Sequence, residues 1–221
     1  MANFQMEGHG TMTGVYSVHL TVEPTTPPQP WKHCSSCGDI RPFLSSGKIR
    51  LNANGRKLDA WLIYKCAACE RTWNRPLAER LAVASISEAD LQAMQRSDPS
   101  WVRVQEFDLA SLKRYCDRIE LNPEVCVAKT SMGSMPGSWS AIVITIDAPR
   151  PTGQRLDRLL ATELKVSRSS LQSMHRAGGL QIEPASRAGL KKLVNGRLAV
   201  RFFASKLTEE QSMTLPGILF A

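Results

Sequence analysis

Cys34-Ser35-Ser36-Cys37 and Cys66-Ala67-Ala68-Cys69 are the two motifs around which the chain is organised. Each is a CxxC pair, and 28 residues separate the two pairs. Such pairs are typical of a tetrahedral site in which four thiolates bind one zinc ion, two from each tight turn. A pair of structural disulfides and four unrelated thiols are the competing interpretations. We predict one structural zinc ion at Cys34, Cys37, Cys66 and Cys69.

The residues between the two motifs have the pattern of a β-hairpin. Segments 48–52 and 58–65 are predicted strands, and Asn54-Gly55 is a strong turn signal between them. Together with the cysteine pairs, this pattern predicts a zinc ribbon over residues 31–75. Apolar residues occupy both faces of segment 58–65, so we expect the ribbon to dock on the helices that follow. His33 adjoins Cys34, but with four cysteines present we interpret it as an exposed residue or a neighbour of the ligands.

The composition is that of a globular intracellular protein. The chain has 221 residues, of which 43% are hydrophobic, enough for a core in one or two domains. No apolar run approaches the length of a membrane span. The N-terminus lacks the basic residues and apolar core of a signal peptide, so we expect a cytoplasmic protein. Reduced thiols fit that compartment and favour a metal site over disulfides.

The positive charge of the chain is concentrated in two blocks. The net charge is +8, and residues 31–75 carry nine basic against three acidic side chains. Residues 155–201 carry ten basic against three acidic side chains. Clusters of this kind indicate a polyanionic partner, most often nucleic acid, although charge on exposed faces also serves solubility.

The pattern along the chain predicts an α+β protein. Pro76 suits a first helical turn, with Leu77 and Leu81 on one side of the helix, and Ser87 and Asp98 have the positions of helix N-caps. We predict a leader with one strand and a proline-rich connector (1–30), the zinc ribbon (31–75), a helical region (76–121), a linker (122–139), a small α/β domain (140–205) and a C-terminal tail (206–221).

One stretch of the ribbon resembles a bacterial domain-of-unknown-function family, number ten sixty-two. The resemblance rests on Phe43, the run 45–48, Asn52, the run 58–66, Cys69 and the run 72–74. It covers roughly residues 15–205. Because the family has no assigned function, the resemblance implies no biochemical activity.

The C-terminal segment is similar to the small RNA-binding domain of small-subunit ribosomal protein four. The similarity rests on Arg155-Leu156-Asp157, Ser167-Arg168, the helix stop at Gly178-Gly179 and the turn at Gly196. It implies structured RNA as the ligand, ribosomal or transfer RNA, bound through its phosphates along two helices. The residues expected to contact RNA are Arg155, Arg158, Lys165, Arg168, Arg176, Lys191 and Lys192.

The segment departs from that domain at one turn. Where the family has a valine-asparagine-glycine turn after the first short strand, this sequence has Glu183-Pro184-Ala185, and Val194-Asn195-Gly196 lies later. The departure predicts a rebuilt hairpin.

The sequence favours a non-enzymatic protein. A closed four-cysteine site offers no open coordination position for activating water. The chain also shows no nucleophile-plus-base pair and no glycine loop for phosphates. Two functions of different class follow: a zinc-containing protein that binds structured RNA, and an adaptor whose zinc ribbon binds another protein without any nucleic-acid ligand.

Overall fold

A computed structural model of the protein describes residues 14–131 and 138–219. Residues 1–13 of the predicted leader segment (1–30) lie outside the described residues, as does the part of the predicted linker at 132–137. The elements are, in chain order, β1 (Gly14–Pro24), β2 (Gln29–Cys34), β3 (Asp39–Asn54), β4 (Lys57–Cys66), β5 (Thr72–Ala82), α1 (Glu88–Arg96), α2 (Pro99–Glu106), α3 (Leu109–Leu112), β6 (Arg118–Glu120), β7 (Val125–Ser131), β8 (Trp139–Ala148), α4 (Leu156–Glu163), α5 (Arg168–Arg176), β9 (Leu180–Glu183), β10 (Gly196–Phe203) and α6 (Glu209–Leu219). Short 3-10 turns occupy Val83–Ser85, Gly189–Lys191 and Ala204–Lys206.

The protein belongs to the α+β class, as the sequence predicts. Its described residues form two five-stranded sheets with helices on both, and the chain divides into two compact units. Unit 2 comprises residues 24–124, and unit 1 comprises residues 1–23 together with 125–221. Unit 2 is therefore an insertion between two strands of unit 1. Among the helices that the structure describes, none is both long enough and apolar enough to cross a membrane.

Unit 2 is built on a sheet with the strand order β5-β4-β3-β2-β6. The predicted hairpin is confirmed: β3 and β4 pair antiparallel up to Asn54 and Lys57, and Gly55 occupies the turn with φ +60°. A positive φ is a conformation that glycine adopts without the steric penalty of a side chain. Because β3 begins just after the first cysteine motif and β4 ends at Cys66, the pairing of these strands fixes the position of one motif relative to the other.

The helices of unit 2 pack against this sheet. Val102 of α2 and Leu112 of α3 share a buried cluster with Phe43 and Leu62. The predicted N-caps are confirmed, because Ser87 accepts a hydrogen bond from the backbone of Asp90 and Asp98 accepts one from Trp101. Each cap satisfies a backbone N–H that has no partner within the helix.

The helix predicted from Pro76 is wrong. Residues 72–82 form strand β5, which pairs antiparallel with β4 and interrupts its register near Ala60 with bulges. A spacing of four residues between Leu77 and Leu81 suits one side of a helix but also one face of a strand. Pairing with the buried strand β4 decides the outcome, and the helices of this region are confined to residues 88–112.

Unit 1 contains a mixed sheet with the order β7-β1-β8-β10-β9. Strand β1 lies parallel to β8, with Val18 opposite Ile144, and β10 lies antiparallel to β8. Leu160 of α4 and Leu171 of α5 share the core of this sheet. The strand predicted within residues 1–30 is β1, and the two helices expected in the C-terminal segment are α4 and α5.

The ends of unit 1 differ from the sequence prediction. Part of the predicted linker is strand β7, and most of the predicted C-terminal tail is helix α6. Leu215 and Leu219 of α6 are buried in the core, and Trp139 Nε1 donates a hydrogen bond to the Ser212 carbonyl at 3.0 Å. The predicted domain 140–205 therefore omits three elements of the unit to which it belongs, namely β1, β7 and α6.

The connection between β9 and β10 is long. These strands pair antiparallel, with Ile182 opposite Val200, but residues 184–195 separate them. The 3-10 turn Gly189–Lys191 lies in this connection, and Leu190 is buried beneath it. The altered turn at Glu183-Pro184 thus accompanies a structured loop in which Gly189 approaches the His175 ring of α5.

Candidate metal centre and basic surface

The two cysteine motifs fold into equivalent turns. The backbone N–H of Gly38 donates to the Cys34 carbonyl at 2.9 Å, and that of Glu70 donates to the Cys66 carbonyl at 2.9 Å. The residue after each motif has a positive φ, +70° at Gly38 and +59° at Glu70. The local conformation is therefore the same in both turns, although only the first has the glycine that favours it.

These turns bring the four thiols together. Their sulfur atoms lie within 4.8 Å of one another, and none is in a disulfide. Cys34 Sγ lies 3.5 Å from Cys69 Sγ, and Cys37 Sγ lies 3.9 Å from Cys66 Sγ. Four sulfurs about 2.3 Å from one metal at tetrahedral corners are about 3.8 Å apart. The cluster fits a metal ion, and the four cysteines could hold one.

The electrostatics of the cluster favour a cation. Burial raises the pKa of the Cys34 thiol, but backbone N–H groups of Cys37 and Ser36 and the neighbouring thiols donate to it and lower the pKa to about 6. Hydrogen bonding to Cys69, with burial, raises the pKa of Cys37 to about 12, and the charge of Cys34 contributes to the rise. The thiolate of Cys34 therefore forms readily and that of Cys37 does not, and a bound cation would favour the deprotonated form of Cys37.

The cluster is enclosed on most sides. Cys34 and Cys66 are buried, Cys37 is half-buried and Cys69 is exposed. His33 is exposed and does not join the group of converging ligands found among the described residues. If all four thiolates bound one metal ion, they would fill a tetrahedral coordination sphere.

Trp73 is a packing residue beside this centre. Its ring meets Phe43 edge-on at 5.9 Å and lies 5.1 Å from the Tyr64 ring. The Lys32 ammonium lies 4.7 Å from its centroid on the outer side. The aromatic cluster fixes strands β3, β4 and β5 next to the thiols.

Unit 2 also buries charged groups that the sequence analysis did not single out. Arg75 is fully buried and donates from Nη1 to the Gln105 carbonyl at 2.7 Å. Its Nε and Nη2 and the Tyr64 hydroxyl have no hydrogen-bond partner among the described residues. Burial raises the pKa of Tyr64 to about 12 and also raises the pKa of Glu106. The sequence pattern around Arg75 does not distinguish it from its exposed neighbours. Its burial follows from the position of β5 in the sheet.

In unit 1, Arg155 is engaged in an internal ion pair. Its Nη2 lies 2.6 Å from Asp157 Oδ2, and its Nε donates to Oδ1 at 3.1 Å. The Asp157 side chain is 2% exposed, whereas that of Arg155 is 42% exposed. This pair closes the first turn of α4, where the Leu156 N–H donates to the Lys192 carbonyl.

Arg158 and Arg168 lie on opposite sides of one open cavity. The cavity has a volume of about 520 Å³ and is lined by Arg158, Ala161, Thr162, Val166, Ser167 and Arg168. Ser167 caps α5 by accepting a hydrogen bond from the Ser170 N–H. Neither arginine forms an ion pair within residues 14–131 and 138–219. The cavity therefore presents two uncompensated guanidinium groups and no carboxylate.

The remaining predicted basic residues lie around the same helices. Arg176 and Lys191 line a second cavity, which also includes Arg187, a residue that the prediction omitted although it lies in the basic block. Lys165 is exposed in the turn between α4 and α5, with φ +52°. Lys192 is half-buried, and its carbonyl supports α4. Six of the seven predicted residues are thus free of ion pairs in the described part of the chain.

The fold and these sites define an α+β protein with a candidate four-cysteine metal centre in one unit and a basic surface in the other. The family model described as "Protein of unknown function (DUF1062)" matches residues 51–186, more than half of the chain. The chain therefore belongs to the DUF1062 family, as the ribbon residues predict. No curated protein and no solved structure matches the sequence.

Proposed function

We propose that the protein is a non-enzymatic, zinc-containing cytoplasmic protein that binds structured RNA, ribosomal or transfer RNA, through unit 1. The zinc ion is held by Cys34, Cys37, Cys66 and Cys69, and unit 2 is a zinc ribbon extended by helices. Zinc is the metal that four thiolates in a tetrahedral, closed arrangement bind most often in intracellular proteins. Its role is structural, because the four ligands fill the coordination sphere.

The observation that carries the RNA proposal is the pair of unpaired arginines in the cavity between α4 and α5. Arg158 and Arg168 face one space without a carboxylate. Guanidinium groups bind phosphate through two parallel hydrogen bonds, and two of them at one site suit a phosphate backbone. The resemblance of residues 155–200 to the domain of small-subunit ribosomal protein four supports RNA as that polyanion.

The chemistry of this surface favours shape and backbone recognition over base reading. No aromatic ring lines the cavity, so bases have nothing on which to stack. Phosphate contacts by arginine and lysine give affinity that depends little on sequence and strongly on salt. Double-helical or tightly folded RNA, whose phosphates are regularly placed, is the ligand class that such a surface fits.

A salt titration tests the RNA proposal. The affinity of the full-length, metal-loaded protein for a structured RNA hairpin should fall linearly in log salt. The double variant Arg158→Glu/Arg168→Glu should bind at least about tenfold more weakly at the same salt, whereas Arg197→Glu, an exposed arginine outside both cavities, should change affinity far less. Absence of binding at low salt, or equal losses in both variants, would contradict the proposal.

A second candidate function, protein binding by unit 2, is favoured by two exposed apolar side chains. Ile40 and Leu44 of β3 are 45% and 44% exposed and lie on the same face of the strand. Exposed apolar residues this close together are typical of docking surfaces. If Ile40→Asp/Leu44→Asp abolishes a partner complex while RNA is never bound, the adaptor function replaces the first proposal.

A further inference from the structure

A second cavity of unit 1 lies where the C-terminal end of α5 meets the loop before β10. We call it the α5–Gly189 cavity. It has a volume of about 360 Å³, and the polar and turn residues lining it are Gln172, His175, Arg176, Arg187, Gly189 and Lys191. The volume is that of a small-molecule site rather than of a surface dimple.

Three cations face this space without a counter-ion. Arg176, Arg187 and Lys191 are exposed, and none of them forms an ion pair in the described part of the chain. The lining contains no aspartate or glutamate. Like charges this close repel one another, and an anion in the cavity relieves that repulsion. The two arginines also offer planar donor pairs that match phosphate oxygens.

His175 is oriented towards the same cavity. Its Nδ1 lies 2.9 Å from the Leu180 carbonyl, which can only accept, so Nδ1 carries the proton. That bond fixes the ring and leaves Nε2 on the cavity side, where a Cβ on Gly189 would lie 3.7 Å from it. Gly189 has φ +51°, so the close approach of the loop is made by a residue suited to it. Nε2 of this tautomer is thus available to accept a hydrogen bond from a ligand hydroxyl, including the hydroxyl of a singly protonated phosphate.

The lining selects the class of ligand. No phenylalanine, tyrosine or tryptophan lines the cavity, so it offers no large aromatic ring on which a base could stack. A phosphodiester carries a single negative charge, whereas a phosphate monoester carries about 1.5 to 2 near neutral pH. Three cations and an imidazole in one cavity match the monoester better. The remaining volume admits the ribose to which such a phosphate is attached.

We propose that the α5–Gly189 cavity binds the terminal phosphate monoester of an RNA chain. This inference rests on the proposed RNA binding and adds end recognition to it. The α4–α5 cavity would hold backbone phosphates, and the α5–Gly189 cavity would hold the charged end. Arg168 and Arg176, one in each cavity, are eight residues apart on α5, and therefore about 12 Å apart along its axis.

The test compares three versions of one labelled hairpin RNA on the full-length, metal-loaded protein. One RNA has a 5′-phosphate, one a 3′-phosphate and one hydroxyls at both ends. We expect one phosphorylated RNA to bind about tenfold more tightly than the hydroxyl form. The variant Arg187→Ala/Lys191→Ala should remove that preference, while Arg197→Ala keeps it. Because these side chains are exposed, circular dichroism should show unchanged folding in all variants.

Titration with a nucleoside monophosphate separates the two proposals. If all three RNAs bind wild-type protein equally, end recognition is wrong and RNA binding stands. If no RNA binds but the nucleoside monophosphate does, and Arg187→Ala/Lys191→Ala abolishes it, the cavity is a free-nucleotide site and the RNA proposal fails together with end recognition. If Arg197→Ala weakens the preference for phosphorylated RNA as much as Arg187→Ala/Lys191→Ala does, the assignment of end recognition to this cavity is also wrong.

Discussion

Arg155 Nη2 lies 2.6 Å from Asp157 Oδ2, and this contact changes the role of a residue that sequence similarity places at the RNA surface. The guanidinium binds the carboxylate through two hydrogen bonds. Asp157 is almost completely buried, so its charge depends on this partner. Arg155 therefore stabilises the start of α4, and Arg158, one turn later, is the first arginine of this helix free to meet a ligand.

Replacement of Arg155 should reduce stability more than replacement of Arg158. We expect Arg155→Ala to lower the free energy of unfolding of unit 1 by about 2 kcal/mol. The loss arises because the buried carboxylate of Asp157 is left without its partner, whereas removal of the partly exposed arginine side chain itself costs little. Arg158→Ala should change it by less than about 0.5 kcal/mol. Urea unfolding followed by circular dichroism measures both, and equal midpoints for the two variants would show that the ion pair is energetically unimportant.

Loss of one cysteine of the centre should release the metal. Native mass spectrometry should find one zinc ion per chain in the wild-type protein and none in Cys66→Ser, since three thiolates leave the site open. Unit 2 of that variant should become sensitive to proteolysis, and a chelator should have the same effect on wild-type protein.

Cys126→Ser is the matched control, because Cys126 is an exposed thiol outside the cluster. It should keep the metal and the protease resistance. A wild-type protein without metal, whose four clustered thiols are all readily alkylated, would contradict the prediction of a zinc centre.

Glu106 should make the stability of unit 2 depend on pH. Burial raises the pKa of its carboxyl, which Ser45 and the charges of Arg103 and Arg75 only partly oppose. The folded state therefore holds this proton more tightly than the unfolded state, and stability is lost as pH rises from the ordinary carboxyl pKa of about 4.3 through the raised value.

Glu106→Gln should remove that dependence and raise the free energy of unfolding at pH 7 by about 1 kcal/mol. The exposed Glu79→Gln on β5 is the control and should leave both properties unchanged. Denaturation midpoints measured from pH 4 to pH 8 test the prediction, and parallel curves for wild type and Glu106→Gln would refute it.

Helix α6 should contribute to the stability of unit 1. Trp139→Phe removes the hydrogen bond to the Ser212 carbonyl and shrinks a buried side chain, so we expect a loss of about 1–2 kcal/mol. Met213→Ala, at a side chain 75% exposed on the same helix, should change stability by less than about 0.5 kcal/mol. If the two variants unfold at the same urea concentration, α6 is not an integral part of the unit.

The sequence predicted best the features that depend on neighbouring residues. The CxxC turns, the Asn54-Gly55 hairpin and the caps at Ser87 and Asp98 are all determined within a few positions of the chain. The convergence of the four thiols over a long separation was also predictable, because ligand chemistry demands it.

Features that depend on contacts between residues distant in sequence could not be predicted from the sequence pattern. Strand β5 follows from pairing with β4, which the spacing of Leu77 and Leu81 does not reveal. The weakly amphipathic helix α6 packs on the core through only a few apolar residues. The ion pair between Arg155 and Asp157 is local in sequence, yet a motif match alone assigns Arg155 to RNA. The burial of Asp157, which makes the ion pair important, depends on the tertiary fold.

The insertion of unit 2 has a consequence for how the protein is made. Strand β1 is synthesised before residues 24–124, whereas its parallel partner β8 is synthesised only after them. Chain segments fold as units during synthesis, so unit 2 can fold and acquire its metal first. Within it, the backbone N–H of Thr25 donates to the Glu124 carbonyl at 3.1 Å and holds the two ends of the insertion together. A folded unit 2 would therefore shorten the path across which β1 and β8 must find each other, so that a metal held by its four cysteines would speed the maturation of newly made unit 1.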